Sequence, residues 1–162
     1  MKQPSHKQDR LKLDENIFQD LVRIYIDQHG LAPLAAKIYA YLVFDFQKQG
    51  VTFDDFVEIF SSSKSSVSSS LHHLINNGFI KDINRIDERR RYFVLNDEYM
   101  RTHFEVIIMK LEKELEITRS LKEFYENQSG NRKSNLDVYI KLLTNNITNI
   151  KESIQEIKLN EK

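Results

Sequence analysis

The sequence predicts a mainly α-helical chain with a small β-wing, followed by long C-terminal helices. Three stretches carry this expectation. Residues 51–95 read in order as a short strand, a helix, a turn, a serine-rich second helix and a two-stranded hairpin with arginines at its tip. Residues 61–71 hold eight serines, yet Val67, Leu71, Leu74 and Ile75 keep a helical apolar stripe that a flexible linker has no reason to keep. Further on, Leu136, Ile140, Leu143, Ile147, Ile150, Ile154 and Ile157 alternate steps of four and three, a sustained heptad seam. The order of elements is that of a winged helix-turn-helix with a helical extension.

Composition sets the bounds. A chain of 162 residues fits one domain, or a small domain with an added helical extension. With 40% hydrophobic and 10% aromatic residues it can build a core. No apolar run reaches the roughly 18 residues of a membrane span, and no signal-peptide pattern opens the chain, so a cytoplasmic location is expected. There is no cysteine, which excludes disulfides and thiolate metal sites. The formal net charge is zero, but it is unevenly spread. Residues 61–95 carry six cations, Lys64, Lys81, Arg85, Arg89, Arg90 and Arg91, against three anions, Asp82, Asp87 and Glu88. The first 13 residues hold Lys2, Lys7, Arg10 and Lys12 against Asp9. A basic face on a neutral molecule is therefore feasible.

Residues 1–13 are polar and read as a frayed, flexible segment; 14–95 form the winged unit, and 96–162 a helical dimerisation extension. From Asp14, the apolar positions Ile17, Phe18, Leu21, Val22, Ile24 and Tyr25 recur at helical spacing until Gly30. A second helix opens at Pro33, carries Leu34, Ile38, Tyr41, Leu42 and Phe46, and is expected to end at Gly50. Thr52 and Asp55 make a capping-box start for a short third helix bearing Phe56, Val57 and Phe60. The serine helix follows, with Gly78 as its stop. Phe79, Ile80, Ile83 and Ile86 suggest one strand, and Tyr92, Phe93, Val94 and Leu95 its partner. The tip between them, Ile86 through Arg90, lacks the Gly or Asn of a tight turn, so a longer tip is expected. Two long helices then flank a break at 127–135, with Ser134 and Asp137 as a capping pattern for the second.

The candidate site follows from this layout. Ser63 can cap the serine helix, whose N-terminal amides favour a phosphate, with Lys64 beside it. Small polar side chains let a helix approach a groove closely. Ser65, Ser66, Ser68, Ser69 and His72 are the candidates to face double-stranded DNA from this helix, though His72 cannot share a face with both serine pairs. On the wing, strand alternation places Arg89 and Arg91 on one side and Arg90 on the other, so Arg89 and Arg91 are the candidate backbone or minor-groove contacts. The seam of Leu136, Ile140, Leu143, Ile147, Ile150, Ile154 and Ile157 is the candidate homodimer interface: packing against other helices of the same chain explains part of it, but seven aliphatic residues exceed the needs of a small winged unit.

The run FDDFVEIFSSSKSSVSSSLHHLINNGFI and the later DERRRYFVL resemble the winged helix of the GbsR/MarR-like bacterial transcriptional regulators. The matching positions are Leu31, Pro33, Leu34, Lys37, Ile38, Tyr39, Ala40, Tyr41 and Leu42. They continue through Ser63 to Ser68, Leu71, Leu74 and Gly78 to Asp87, Arg89 to Arg91, Tyr92 and Phe93. The resemblance covers about residues 15–100 and implies a homodimeric, DNA-binding transcriptional repressor, some relatives of which respond to small molecules. The chain departs from the pattern at Ser69, where such helices often carry Arg or Asn, and at the wing tip, which lacks Pro-Gly.

Catalysis is not expected. Asp54 and Asp55 read as first-turn acids favoured by the helix dipole, and there is neither a nucleophile elbow nor a Gly-rich phosphate loop. The histidines His6, His29, His72, His73 and His103 show no metal-ligand spacing, so neither metal nor other cofactor is expected. The rival reading is a winged helix used as a protein–protein interaction module without DNA binding, which an uncharged or acidic face would favour.

Overall fold

The computed structural model describes residues 11–86, 88–129 and 135–160. They form two compact units, divided between Asp97 and Glu98.

In the first unit, α1 (Glu15–His29) starts where the Asp14 carboxylate accepts the Ile17 amide at 3.0 Å and stops at Gly30, whose φ of 64° is left-handed. Its buried residues are Phe18 and Val22. Pro33 opens α2 (Pro33–Val43), which buries Ala35, Ala36, Ile38, Ala40, Tyr41 and Leu42 and is the central helix of the unit. Such an all-round apolar helix must be enclosed.

The end expected for α2 at Gly50 is corrected. The helix stops at Val43, because the Asp45 carboxylate draws the following chain into a loop. Buried Asp45 accepts the Gln49 amide at 3.0 Å and the Gly50 amide at 2.6 Å. Its carboxylate therefore replaces the carbonyls a continuing helix would have supplied.

From Gly50 the chain enters β1 (Val51–Thr52) and then α3 (Phe53–Ile59). The capping box forms at Thr52, whose side chain accepts the Asp55 amide while the Asp55 carboxylate accepts the Thr52 amide. After a turn, α4 (Lys64–Asn76) buries Val67, Leu71 and Leu74. The hairpin of β2 (Ile80–Asn84) and β3 (Arg91–Leu95) completes a three-stranded antiparallel sheet in the order β1-β3-β2. Val51 pairs with Phe93, and Asn84 with Arg91. Ile86, the residue at which the apolar pattern of the first strand meets the expected tip, lies beyond the last paired residues and is fully exposed. Phe56 sits at the centre of the core, with Tyr41, Phe60 and Phe93 around its ring.

The second unit pairs α5 (Tyr99–Ser129) with α6 (Leu136–Asn160). Ile108 and Leu115 of α5 meet Leu143, Ile147 and Ile154 of α6, with Phe104, Leu111, Ile140 and Ile150 partly buried around them. Lys151–Glu112 at 2.7 Å and Lys122–Asp137 at 2.6 Å tie the helices along their edges. The seam read as a subunit interface is thus occupied within the chain. Leu143, Ile147 and Ile154 are already covered by α5, and Leu136 and Ile157 are half-buried. The capping residue Ser134 and most of the N-terminal segment lie outside the described residues.

Gly50 is the tightest point of the first unit. Its φ is 77°, and a Cβ there would lie 2.9 Å from the Tyr92 Cβ and 3.3 Å from the Phe93 carbonyl oxygen. The Gly50→Ala variant is expected to lose about 2 kcal/mol or more of stability, since left-handed strain coincides with a clash against the Tyr92 Cβ, which the backbone holds in place. Urea denaturation of the two proteins measures it.

Candidate nucleic-acid interface

The surface assembled from α3, α4 and the wing begins with the turn between the two helices. Ser61 at φ 47° reverses the chain. Ser63 then caps α4, its hydroxyl accepting the Ser66 amide at 3.2 Å and lying 3.0 Å from the Ser65 hydroxyl and 2.8 Å from that of Ser66. The other first-turn amides of α4 have no acceptor within the helix, as at any helix start. With the dipole behind them and exposed Lys64 alongside, they make this turn attractive to an anion.

Val67, Leu71 and Leu74 pin the inner face of α4, so helical periodicity decides what points away from the core. Ser65, Ser69 and His72 form one outward stripe, all exposed. Ser66 is exposed on one flank, and Ser68 is half-buried on the other. His72 therefore shares its face with one member of each serine pair. Asn76 continues the same stripe and is exposed, a position that sequence reasoning misses. Its spacing of four after His72 is the available signal. That signal is masked because Asn76-Asn77 also reads as the approach to a helix stop.

The wing arginines divide into two sets. Arg91 donates from Nε and Nη2 to the Asp82 carboxylate at 3.0 and 2.8 Å, and its guanidinium lies over the Phe93 ring at 5.8 Å. Arg85 sits 4.1 Å from the Tyr92 ring centroid, bonds the Gln49 carbonyl and faces Glu88 at 3.7 Å. Tyr92 in turn donates its hydroxyl to Glu88. That hydrogen bond, then burial, holds the Tyr92 hydroxyl above its ordinary value of 10.0. The contribution of this bond is present below that value and is lost only as pH climbs through the raised one. By contrast, Arg89 and Arg90 are exposed, and neither has an ion pair among the described residues. Strand alternation pairs Arg89 with Arg91, whereas ion pairing groups Arg89 with Arg90. Sequence could not have shown this, because Asp82 meets Arg91 only through the hairpin register. Asp87 lies outside the described residues.

Among the described residues no cluster of three His, Asp or Glu side chains is placed to hold a metal, and no helix is long and apolar enough to cross a membrane. Arg89, Arg90 and Lys64 are cations on the same unit as a small polar helix face, an arrangement suited to a polyanion.

No protein-family model and no curated protein matches the sequence. Among solved structures, one described as a transcriptional regulator is similar over 90% of this chain and 97% of its own, with a TM-score of 0.54 at 15% identity. The likeness establishes a shared fold, mostly helical with a small antiparallel sheet. Two more distant likenesses are to a single-residue mutant of MepR from a multidrug-resistant S. aureus clinical isolate and to a Listeria monocytogenes protein described as a MarR family regulator, solved with 26mer DNA. The first has a TM-score of 0.42 at 17% identity, covering 87% of this chain and 91% of that one. The second has a TM-score of 0.38 at 15% identity, covering 89% and 88%. Both are too distant in shape to bear on this chain.

The cap at Ser63 is directly testable. Ser63→Ala is expected to lower thermal stability by about 1 kcal/mol, the usual worth of an N-cap hydroxyl, while Ser65→Ala is expected to change it by a few tenths. Equal effects in calorimetry would mean that Ser63 does not cap the helix.

Proposed function

We propose that this protein binds double-stranded DNA as a transcriptional regulator, acting as a repressor and as a homodimer. The observation that carries the reading is the outward stripe of α4 with its capped, cation-flanked N-terminus, on the same unit as two wing arginines that have no ion pair among the described residues. In this reading α4 enters the major groove, with Ser65, Ser69, His72 and Asn76 at base edges and Ser63, Lys64, Ser66 and Ser68 toward phosphates. Single serine hydroxyls discriminate bases weakly, so specificity is shared with DNA shape. Arg89 and Arg90 contact the backbone or minor groove, while Arg91 braces the wing.

The second unit supports the dimer through a different face from the heptad seam. Ile117, Leu121 and Phe124 lie at helical spacing on α5, on the side away from the Ile108 and Leu115 seam, and are 57%, 42% and 59% exposed. A large exposed apolar stripe of this kind marks an interaction surface. Its occupant in this reading is the same stripe of a second copy.

Two measurements test the function. Binding to a duplex chosen from a random pool is expected to weaken steeply with salt. A dimer presenting Lys64, Arg89 and Arg90 twice gives a log–log slope of about −5. Arg90→Ala is expected to flatten the slope by roughly 1 per site, and Arg91→Ala to leave it unchanged while loosening the hairpin. No duplex binding, or a flat salt response, would favour the protein-interaction reading. For assembly, Leu121→Glu is expected to give a folded monomer in light scattering. Leu143→Glu is expected to unfold the α5–α6 pair instead, because it places a charge in a filled core.

A further inference from the structure

We propose that Ile86 is an apolar wedge that inserts at a base step in the DNA minor groove, an inference that rests on the DNA-binding reading above. Ile86 is 103% exposed, more than any other large apolar residue described. It stands past the last strand pair, Asn84 with Arg91, so no sheet neighbour covers it. Turn tips ordinarily use small or polar residues, and a β-branched aliphatic gains nothing there from folding. Its neighbours on the tip carry both signs: Arg85 beside it in sequence pairs with Glu88, Asp87 follows it in sequence, and Arg89 and Arg90, which have no ion pair among the described residues, stand on the return.

The base of the tip is braced from both strands. Arg91 is bound to Asp82, and the Arg85–Glu88–Tyr92 cluster ties the outgoing and returning chain together. Bracing of this kind at the base limits the ordering cost of docking the tip. A bare aliphatic on the same tip as Arg89 and Arg90 has two complementary surfaces in a minor groove. The arginines meet its phosphate rims and negative floor, and the isoleucine meets base faces exposed by partial unstacking. The sequence preference that follows is for a flexible pyrimidine–purine step under the wing, since that step opens at the lowest cost. Such a wedge gives selectivity at a position where no hydrogen bond reads a base, which complements a serine-rich recognition helix.

The test uses the full chain and a duplex that it selects from a random pool, carrying 2-aminopurine at each step of the half-site in turn. Wild-type protein is expected to brighten the probe at one pyrimidine–purine step, reporting unstacking. Ile86→Ser is expected to leave that probe quenched and to bind roughly tenfold more weakly, with the salt slope and melting temperature unchanged. Ile86→Leu is expected to restore both signals. If the wild-type protein binds with steep salt dependence but brightens no step, or if Ile86→Ser brightens it equally, the wedge is wrong and the DNA-binding reading stands. If no duplex is bound at all, the DNA-binding reading falls and takes the wedge with it.

Discussion

The candidate interface depends on the burial of Val67, Leu71 and Leu74 beneath α4. A helix with five serines among its thirteen residues has little intrinsic tendency to form, because serine hydroxyls compete for backbone hydrogen bonds. Three aliphatic residues on one side, a cap at Ser63 and an enclosed α2 to pack on supply what propensity does not. Once these are in place, the direction of every serine on the helix is determined. The polar surface is a consequence of the apolar one.

The wing obeys a different constraint. A hairpin two strands wide is marginal alone, and this one gains a third strand from β1. That pairing requires the chain at Gly50 to approach Tyr92 more closely than any side chain permits. Asp45 sets up the approach by capturing the amides of Gln49 and Gly50. The loop that shortens α2 and the strand that steadies the wing are therefore two ends of one device. The same wing spends part of its positive charge internally. Arg85 and Arg91 hold the hairpin, whereas Arg89 and Arg90 have no ion pair among the described residues.

In the second unit the physics of the seam is ordinary core formation. α6 presents a regular aliphatic row, and α5 covers it with Phe104, Ile108, Leu111 and Leu115. Ile117, Leu121 and Phe124, which remain exposed on α5, lie on its other side. An interface argued from the most regular pattern would thus choose the row that the chain itself has already buried.

Local patterns determined most of the architecture. The caps at Asp14, Thr52 and Ser63, the stop at Gly30, the apolar stripe within the serines and the continuous apolar run of Tyr92 to Leu95 are near-neighbour effects, legible because their causes lie within a few residues. What tertiary structure decided are contacts between distant parts of the chain. The Asp45 loop ended α2 early, since helical periodicity through Phe46 carries no mark of a side chain turning back on later amides. The register of β2 against β3 assigned Arg91 to Asp82 and separated it from Arg89. Finally, α5 claimed the heptad seam, because periodicity shows that a row will be buried and leaves open which surface buries it.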